Sequence, residues 1–83
     1  MLKIKEITPL EGYILKVLFE NDEAVLYDVL EDIESIEAFQ PLKDECGLFA
    51  QVRLDESRTC IYWNEQIDLA ADSVYRYGEK IKK

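Results

Sequence analysis

Eighty-three residues, 48% of them hydrophobic and including Trp63, five tyrosines and three phenylalanines, build one modest core, which excludes a second domain and a disordered chain. Eighteen Asp and Glu against ten Lys and Arg leave a net charge of −8. A field of that sign repels phosphate backbones and anionic membrane surfaces, so neither nucleic acid nor membrane is expected as a direct partner.

In chain order, Leu2 to Ile7 alternates β-branched residues with lysines and meets Pro9 and a Leu10-Glu11-Gly12 turn, which predicts a first strand. From Tyr13 to Phe19 the odd positions Tyr13, Leu15, Val17 and Phe19 share one face, and Ile14, Lys16 and Leu18 share the other. Glu20-Asn21-Asp22-Glu23 is a polar turn, and Ala24 to Tyr27 returns as the partner strand of a hairpin. At Asp28 the period changes. Val29, Ile33, Ile36 and Phe39 recur at helical spacing behind an Asp28-x-x-Glu31 capping arrangement, which predicts a helix over 29–39 ended by Pro41, with a loop over 43–47. A second hairpin follows, with Phe49 to Leu54 and Thr59 to Trp63 joined by Asp55-Glu56-Ser57-Arg58. Residues 67–72 introduce a last helix capped by Asp68 or Asp72, with Val74, Gly78 and Ile81 on one face and Lys80, Lys82 and Lys83 at its carbonyl end. The order β-β-β-α-β-β-α predicts an α+β fold, a small antiparallel five-strand sheet with two helices, as a single domain over 1–83.

Candidate chemistry is sparse. The chain has no histidine, the commonest general base, and Cys46 and Cys60 form no CxxC pair, so no catalytic residue, metal site or cofactor is predicted and both thiols are expected to be free. Asp68 and Asp72 lie four apart and could pair as carboxylates, but capping accounts for them. Asn21-Asp22 lacks the ligand series of a calcium loop. Charged residues interrupt the apolar N-terminus and no segment has membrane-span length, so a cytoplasmic location is expected.

Two surfaces are candidates for a partner. From Val17 through Leu42 there is no Lys or Arg, whereas Glu20, Asp22, Glu23, Asp28, Glu31, Asp32, Glu34 and Glu37 all fall there. Such a stretch predicts one strongly negative end, either a solvated face or a docking face for a basic protein. Trp63 with Tyr62 and Tyr75 is the other candidate, set against ordinary core packing. Because ordering costs about 1.5 kcal/mol per residue and nearly offsets the apolar gain in so small a chain, dimerisation or partner binding is expected to supply stability.

Pro41-Leu42-Lys43-Asp44, residues 48–53, Ile61-Tyr62-Trp63-Asn64 and residues 67–75 together resemble the bacterial domain-of-unknown-function family 2442, as does Val17 to Glu23. The resemblance implies an α+β fold with an antiparallel sheet and a proposed role as the antitoxin of a toxin-antitoxin pair, with a small basic toxin protein as partner. Some family relatives carry an added helix-turn-helix domain for DNA, which this chain, reaching Lys83 after its last helix, is not expected to have. Glu23 stands where the family's hairpin usually has glycine, and Ala71 where proline commonly opens the helix. The expected function is therefore a non-enzymatic protein-interaction module, with Glu31, Asp32, Glu34, Glu37, Trp63 and Tyr75 as candidate contacts. A small-ligand or regulatory module is the alternative.

Overall fold

The computed structural model describes residues 2–81. Three strands, β1 (Ile4–Leu10), β2 (Ile14–Phe19) and β3 (Ala24–Asp28), form an antiparallel meander. Leu15, Val17 and Phe19 are fully buried on its inner face, as their alternation predicts. Tyr13 departs from that strand. It sits in the β1–β2 turn at φ 62° beside Gly12 at φ 79°, and its ring meets Phe49 edge-on at 5.4 Å. At the β2–β3 turn Asp22 takes φ 67°, and Asn21 Oδ1 accepts the Glu23 amide. Among residues other than glycine, Asn and Asp tolerate this region best, so the turn forms with Asp22 at its left-handed position.

Helix α1 (Val29–Ser35) starts where expected, with the Asp28 side chain accepting from the Leu30 amide. It ends early. Ile36 is extended (φ −116°, ψ 114°), and a 3-10 turn over Glu37–Phe39 follows, so the helix expected over 29–39 is corrected to two pieces. The break lets Phe39 reach Trp63, with ring centroids 6.4 Å apart, while the Gln40 side-chain amide donates to the Ile33 carbonyl left free near the helix end. Pro41 does not simply terminate. It opens a short helix, α2 (Pro41–Asp44), at the first-turn position where its missing N–H costs nothing.

The strand expected over Phe49 to Leu54 is reduced to a 3-10 turn at Phe49–Gln51 and a two-residue strand, β4 (Arg53–Leu54), paired with Tyr62 and Ile61. Phe49 is diverted because its ring stacks on Trp63 (5.9 Å, 25°) and its carbonyl accepts the indole N–H at 3.0 Å. β5 (Cys60–Asn64) then pairs with β6 (Ile67–Ala70), which replaces the expected helix entry: Ile67 is buried and Asp68 and Ala70 are exposed, a period of two. Asp68 therefore caps nothing. Helix α3 (Ala71–Tyr77) begins at Ala71 with no side-chain cap and ends at Gly78. β7 (Glu79–Ile81) turns back to pair with β3, so Gly78, Lys80 and Ile81 are not helical. Lys82 and Lys83 lie outside the described residues.

The class is α+β as expected, but among the described residues seven strands form two antiparallel sheets, ordered β1-β2-β3-β7 and β4-β5-β6, in place of one five-strand sheet. Ile4, Val25, Val29, Ile33, Ile61, Ile67, Ala71 and Val74 join the β2 residues in one core between them. Cys46 is exposed and Cys60 half-buried, both free.

The β4–β5 turn is organised by one carboxylate. Asp55 accepts from the Thr59 and Cys60 amides at 3.1 Å and from the Ser57 hydroxyl at 2.6 Å, which holds Arg58 at φ 61°. The Ser57 hydrogen bond first, then the backbone amides, lower the Asp55 pKa. A depressed carboxyl stabilises the fold above the ordinary aspartate value and loses that contribution as pH falls through the folded value. Asp55→Asn is thus expected to lower the melting temperature at neutral pH and to flatten its fall as pH drops below the ordinary aspartate value, read by thermal melts across pH.

Candidate functional site: an acidic cleft beside the α3 terminus

The eight carboxylates do not make one negative end. Glu20, Asp22 and Glu23 occupy the β2–β3 turn, whereas Asp28, Glu31, Asp32, Glu34 and Glu37 follow the opposite end of β3. The first group is partly engaged: Lys5 Nζ lies 3.6 Å from Asp22, and Glu23 Oε2 accepts the Tyr75 hydroxyl at 2.6 Å.

Three of the second group, Asp28, Glu31 and Asp32, line a cleft of about 420 Å³ together with Tyr27, Leu69, Ser73 and Tyr77. Each element delivers its residues for a local reason. Tyr27 faces inward with Val25 on β3, Asp28 must sit at the helix start to cap it, and Glu31 and Asp32 occupy the first turn of α1, where carboxylates suit the helix dipole. Leu69 comes from β6, and Ser73 and Tyr77 lie four apart on one face of α3. The Tyr27 hydroxyl donates to Asp32 Oδ2 at 2.6 Å. Tyr77 is 72% exposed, and the Arg76 guanidinium lies 5.6 Å from its ring centroid.

Burial, then the Asp32 hydrogen bond and the Asp32, Glu31 and Asp28 charges, push the Tyr27 phenol well above its ordinary value. A raised phenol stabilises the fold below the ordinary tyrosine value and ceases to do so as pH rises through the folded one. In an alkaline absorbance titration Tyr27→Phe is expected to remove a late-ionising component. A variant curve that loses only an ordinary transition near pH 10 contradicts the Tyr27–Asp32 contact.

Of the residues singled out in the sequence, Glu31 and Asp32 line the cleft, while Glu34 and Glu37 are exposed beyond it. Trp63, 6% exposed, belongs to the core against Phe39 and Phe49. Tyr75 turns instead to the hairpin, its ring edge-on to Phe19 at 5.1 Å and Lys80 Nζ 4.4 Å from its centroid. The two aromatics form no common surface. Tyr27, Ser73 and Tyr77 were not anticipated; Tyr27 was legible as an aromatic at a strand end five residues before an aspartate, but Tyr77 depended on knowing where α3 stops.

Three carboxylates beside two phenol rings attract and orient a cationic group, as a lysine or arginine side chain requires. Among the described residues no group of three or more His, Cys, Asp or Glu side chains is placed to hold a metal ion, and no helix is long and apolar enough to cross a membrane.

A family model described as protein of unknown function (DUF2442) matches residues 4–80. In fold the chain is similar to a crystal structure from Nitrosomonas europaea ATCC 19718, described as a proposed DNA-binding protein, with TM-score 0.79 and 20% identity over 93% of this chain and 48% of that one. The chain thus spans about half the length of that protein, and the likeness concerns the fold. No curated protein matches significantly.

Proposed function

From its membership of the DUF2442 family of proteins of unknown function, to which the match over residues 4–80 assigns the chain, we propose that it is a non-enzymatic protein-interaction module, the antitoxin of a toxin-antitoxin pair, that binds a small basic protein. The observation that carries this reading is the cleft holding Glu31 and Asp32 beside Tyr27 and Tyr77. A lysine or arginine of the partner enters between carboxylates already gathered by the fold, and the net charge of −8 speeds the encounter. The same charge opposes phosphate binding, so DNA, named for the Nitrosomonas protein, is not the ligand proposed.

The test is co-expression with the product of a short basic reading frame adjoining this one, followed by pull-down and stopped-flow association. Neutralising Glu31 and Asp32 together as Gln and Asn is expected to slow association about tenfold at low salt and to flatten its salt dependence. The matching change at Glu34 and Glu37 has a smaller effect. No complex, or equal effects of the two pairs, argues against the cleft. A small cationic metabolite in the same cleft is the alternative, supported by a volume within the range of small-molecule sites.

A further inference from the structure

We infer that the outer face of the four-stranded sheet docks one amphipathic, basic helix of a protein partner, in a footprint that continues past Tyr77 into the acidic cleft. The inference rests on the reading above for the partner being a basic protein, and it gives that partner an apolar contact. The inner face of the sheet forms the core, and among the described residues no element covers the outer one. An antiparallel sheet face left to water is normally polar. Here Ile14, Leu18, Ala24 and Leu26 point outward from the two central strands, and only Lys16 and Asp28 are polar among their outward residues. Cross-strand partners share a face, so the register puts Leu10, Ile14 and Asp28 in one row, Thr8, Lys16, Leu26 and Glu79 in the next, and Glu6, Leu18, Ala24 and Ile81 in the third. Two shallow depressions mark the face. One of about 300 Å³ is bounded by Glu6, Thr8, Lys16, Leu18 and Ala24, the other of about 260 Å³ by Ile14, Leu26, Asp28, Tyr77 and Glu79. The second shares Asp28 and Tyr77 with the acidic cleft, so face and cleft are one continuous surface with the exposed Tyr77 ring at the join.

Size and spacing select a helix. Four strands about 4.8 Å apart and three rows about 6.8 Å apart make a patch about 20 Å on a side. A helix is about 10–12 Å across and rises about 6 Å over four residues. Laid along β2 and β3, it sets its i, i+4 and i+8 side chains over the three rows, so about three turns cover the face. A flat globular contact would need about twice this area, whereas one helix is matched to it and adds the cleft through a flanking cation. Charge selects the composition of that helix. Glu6, Asp28 and Glu79 stand on the face against Lys16, and the cleft adds Glu31 and Asp32, with Arg76 the other cation beside Tyr77. Lys16 is diagonal to both Glu6 and Asp28 in the register, within reach of a long side chain, so its stem covers apolar surface while its charge is offset locally. Carboxylates remain in excess at the rim. Lysines or arginines flanking the apolar stripe of a helix meet them, while an acidic helix, or a second copy of this chain of net charge −8, adds like charge.

The probe is a synthetic peptide of about 14 residues with leucines at helical spacing and lysines elsewhere, titrated into the isotope-labelled full chain. Its control has the same composition with leucine and lysine alternating, which suits a strand. The expected result is saturable movement of the Thr8, Lys16, Leu18 and Leu26 amides together with those of Glu31 and Asp32, and binding of the alternating peptide at least about tenfold weaker. Thr8→Arg, which adds a cation at an exposed position, and separately Leu26→Asn, which interrupts the apolar rows, are each expected to weaken binding at least about fivefold while keeping the wild-type circular dichroism spectrum. Glu34→Gln changes it less than about twofold. Absence of binding, equal binding of the two peptides, or binding that both variants leave intact overturns the proposal. So do shifts of the same amides with protein concentration alone, which assign the face to a second copy. Shifts confined to Glu31 and Asp32 overturn it while leaving the cleft reading in place. Sheet-face shifts that persist when Glu31 and Asp32 are neutralised support it and count against the cleft instead.

Discussion

Replacing Trp63 by alanine is expected to cost about 3–5 kcal/mol. The reasons are additive in kind. The indole is 6% exposed, stacks on Phe49 and meets Phe39 at an angle, and so ties the 3-10 turns on either side of α2 to β5. Its N–H also satisfies the Phe49 carbonyl at 3.0 Å, and truncation leaves that acceptor without its donor. A domain of this length has a total stability of about 4–12 kcal/mol, so Trp63→Ala removes much of it, and each kcal/mol lowers the melting temperature by about 4–8 °C. Trp63→Phe keeps a ring but not the donor, and is expected to lose about 1–3 kcal/mol. Urea unfolding of the two variants measures both. A loss below about 1 kcal/mol for alanine would contradict the central position of Trp63.

Gly78→Ala is expected to destabilise by about 3 kcal/mol, far more than a glycine-to-alanine change at an ordinary surface site. Backbone conformation is not the cause, since Gly78 sits at φ −74°, which alanine adopts freely. Space is. A Cβ built there falls 2.1 Å from Val25 Cγ1, 2.6 Å from the Val74 carbonyl oxygen and 3.2 Å from the Leu26 carbonyl oxygen. Val25 is fully buried and two of the three neighbours are backbone, so α3 and β7 must shift away from β3 to admit the methyl group. Val25→Ala in the same chain relieves only the first contact, so thermal unfolding of the double variant should recover part of the loss and not all of it. Gly12 is the opposite case. It has φ 79° and open space around its missing Cβ, so alanine there meets only the cost of the left-handed region, about 1 kcal/mol.

The meander was legible because Leu15, Val17 and Phe19 alternate strictly with Ile14, Lys16 and Leu18, a pattern that only a sheet with one covered face uses well. The start of α1 was legible for a similar reason: Asp28 is both the last strand residue and the cap, and its side chain settles the boundary. Elsewhere local pattern gave way to tertiary demand. Residues 67–70 carry an alternation too short to outweigh the helical run behind them, and only pairing with β5 reveals the strand. The helical spacing of Ile36 and Phe39 is real but unused, because Phe39 is held by an aromatic cluster on the other side of the break. The cleft combines both outcomes. Glu31 and Asp32 stand out in the sequence as part of an acidic run, whereas Tyr77 joins them only through the tight Gly78 junction that ends α3.

The pairing of β7 with β3 also orders events in time. β1, β2 and β3 are neighbours in sequence and can zip together as they emerge from the ribosome, yet the backbone of β3 from Ala24 to Leu26 stays unsealed until α3 and β7 have been synthesised. During that interval a nascent chain presents a bare edge able to pair with another unfinished copy. The strand that removes this hazard is the last of the described elements to be translated.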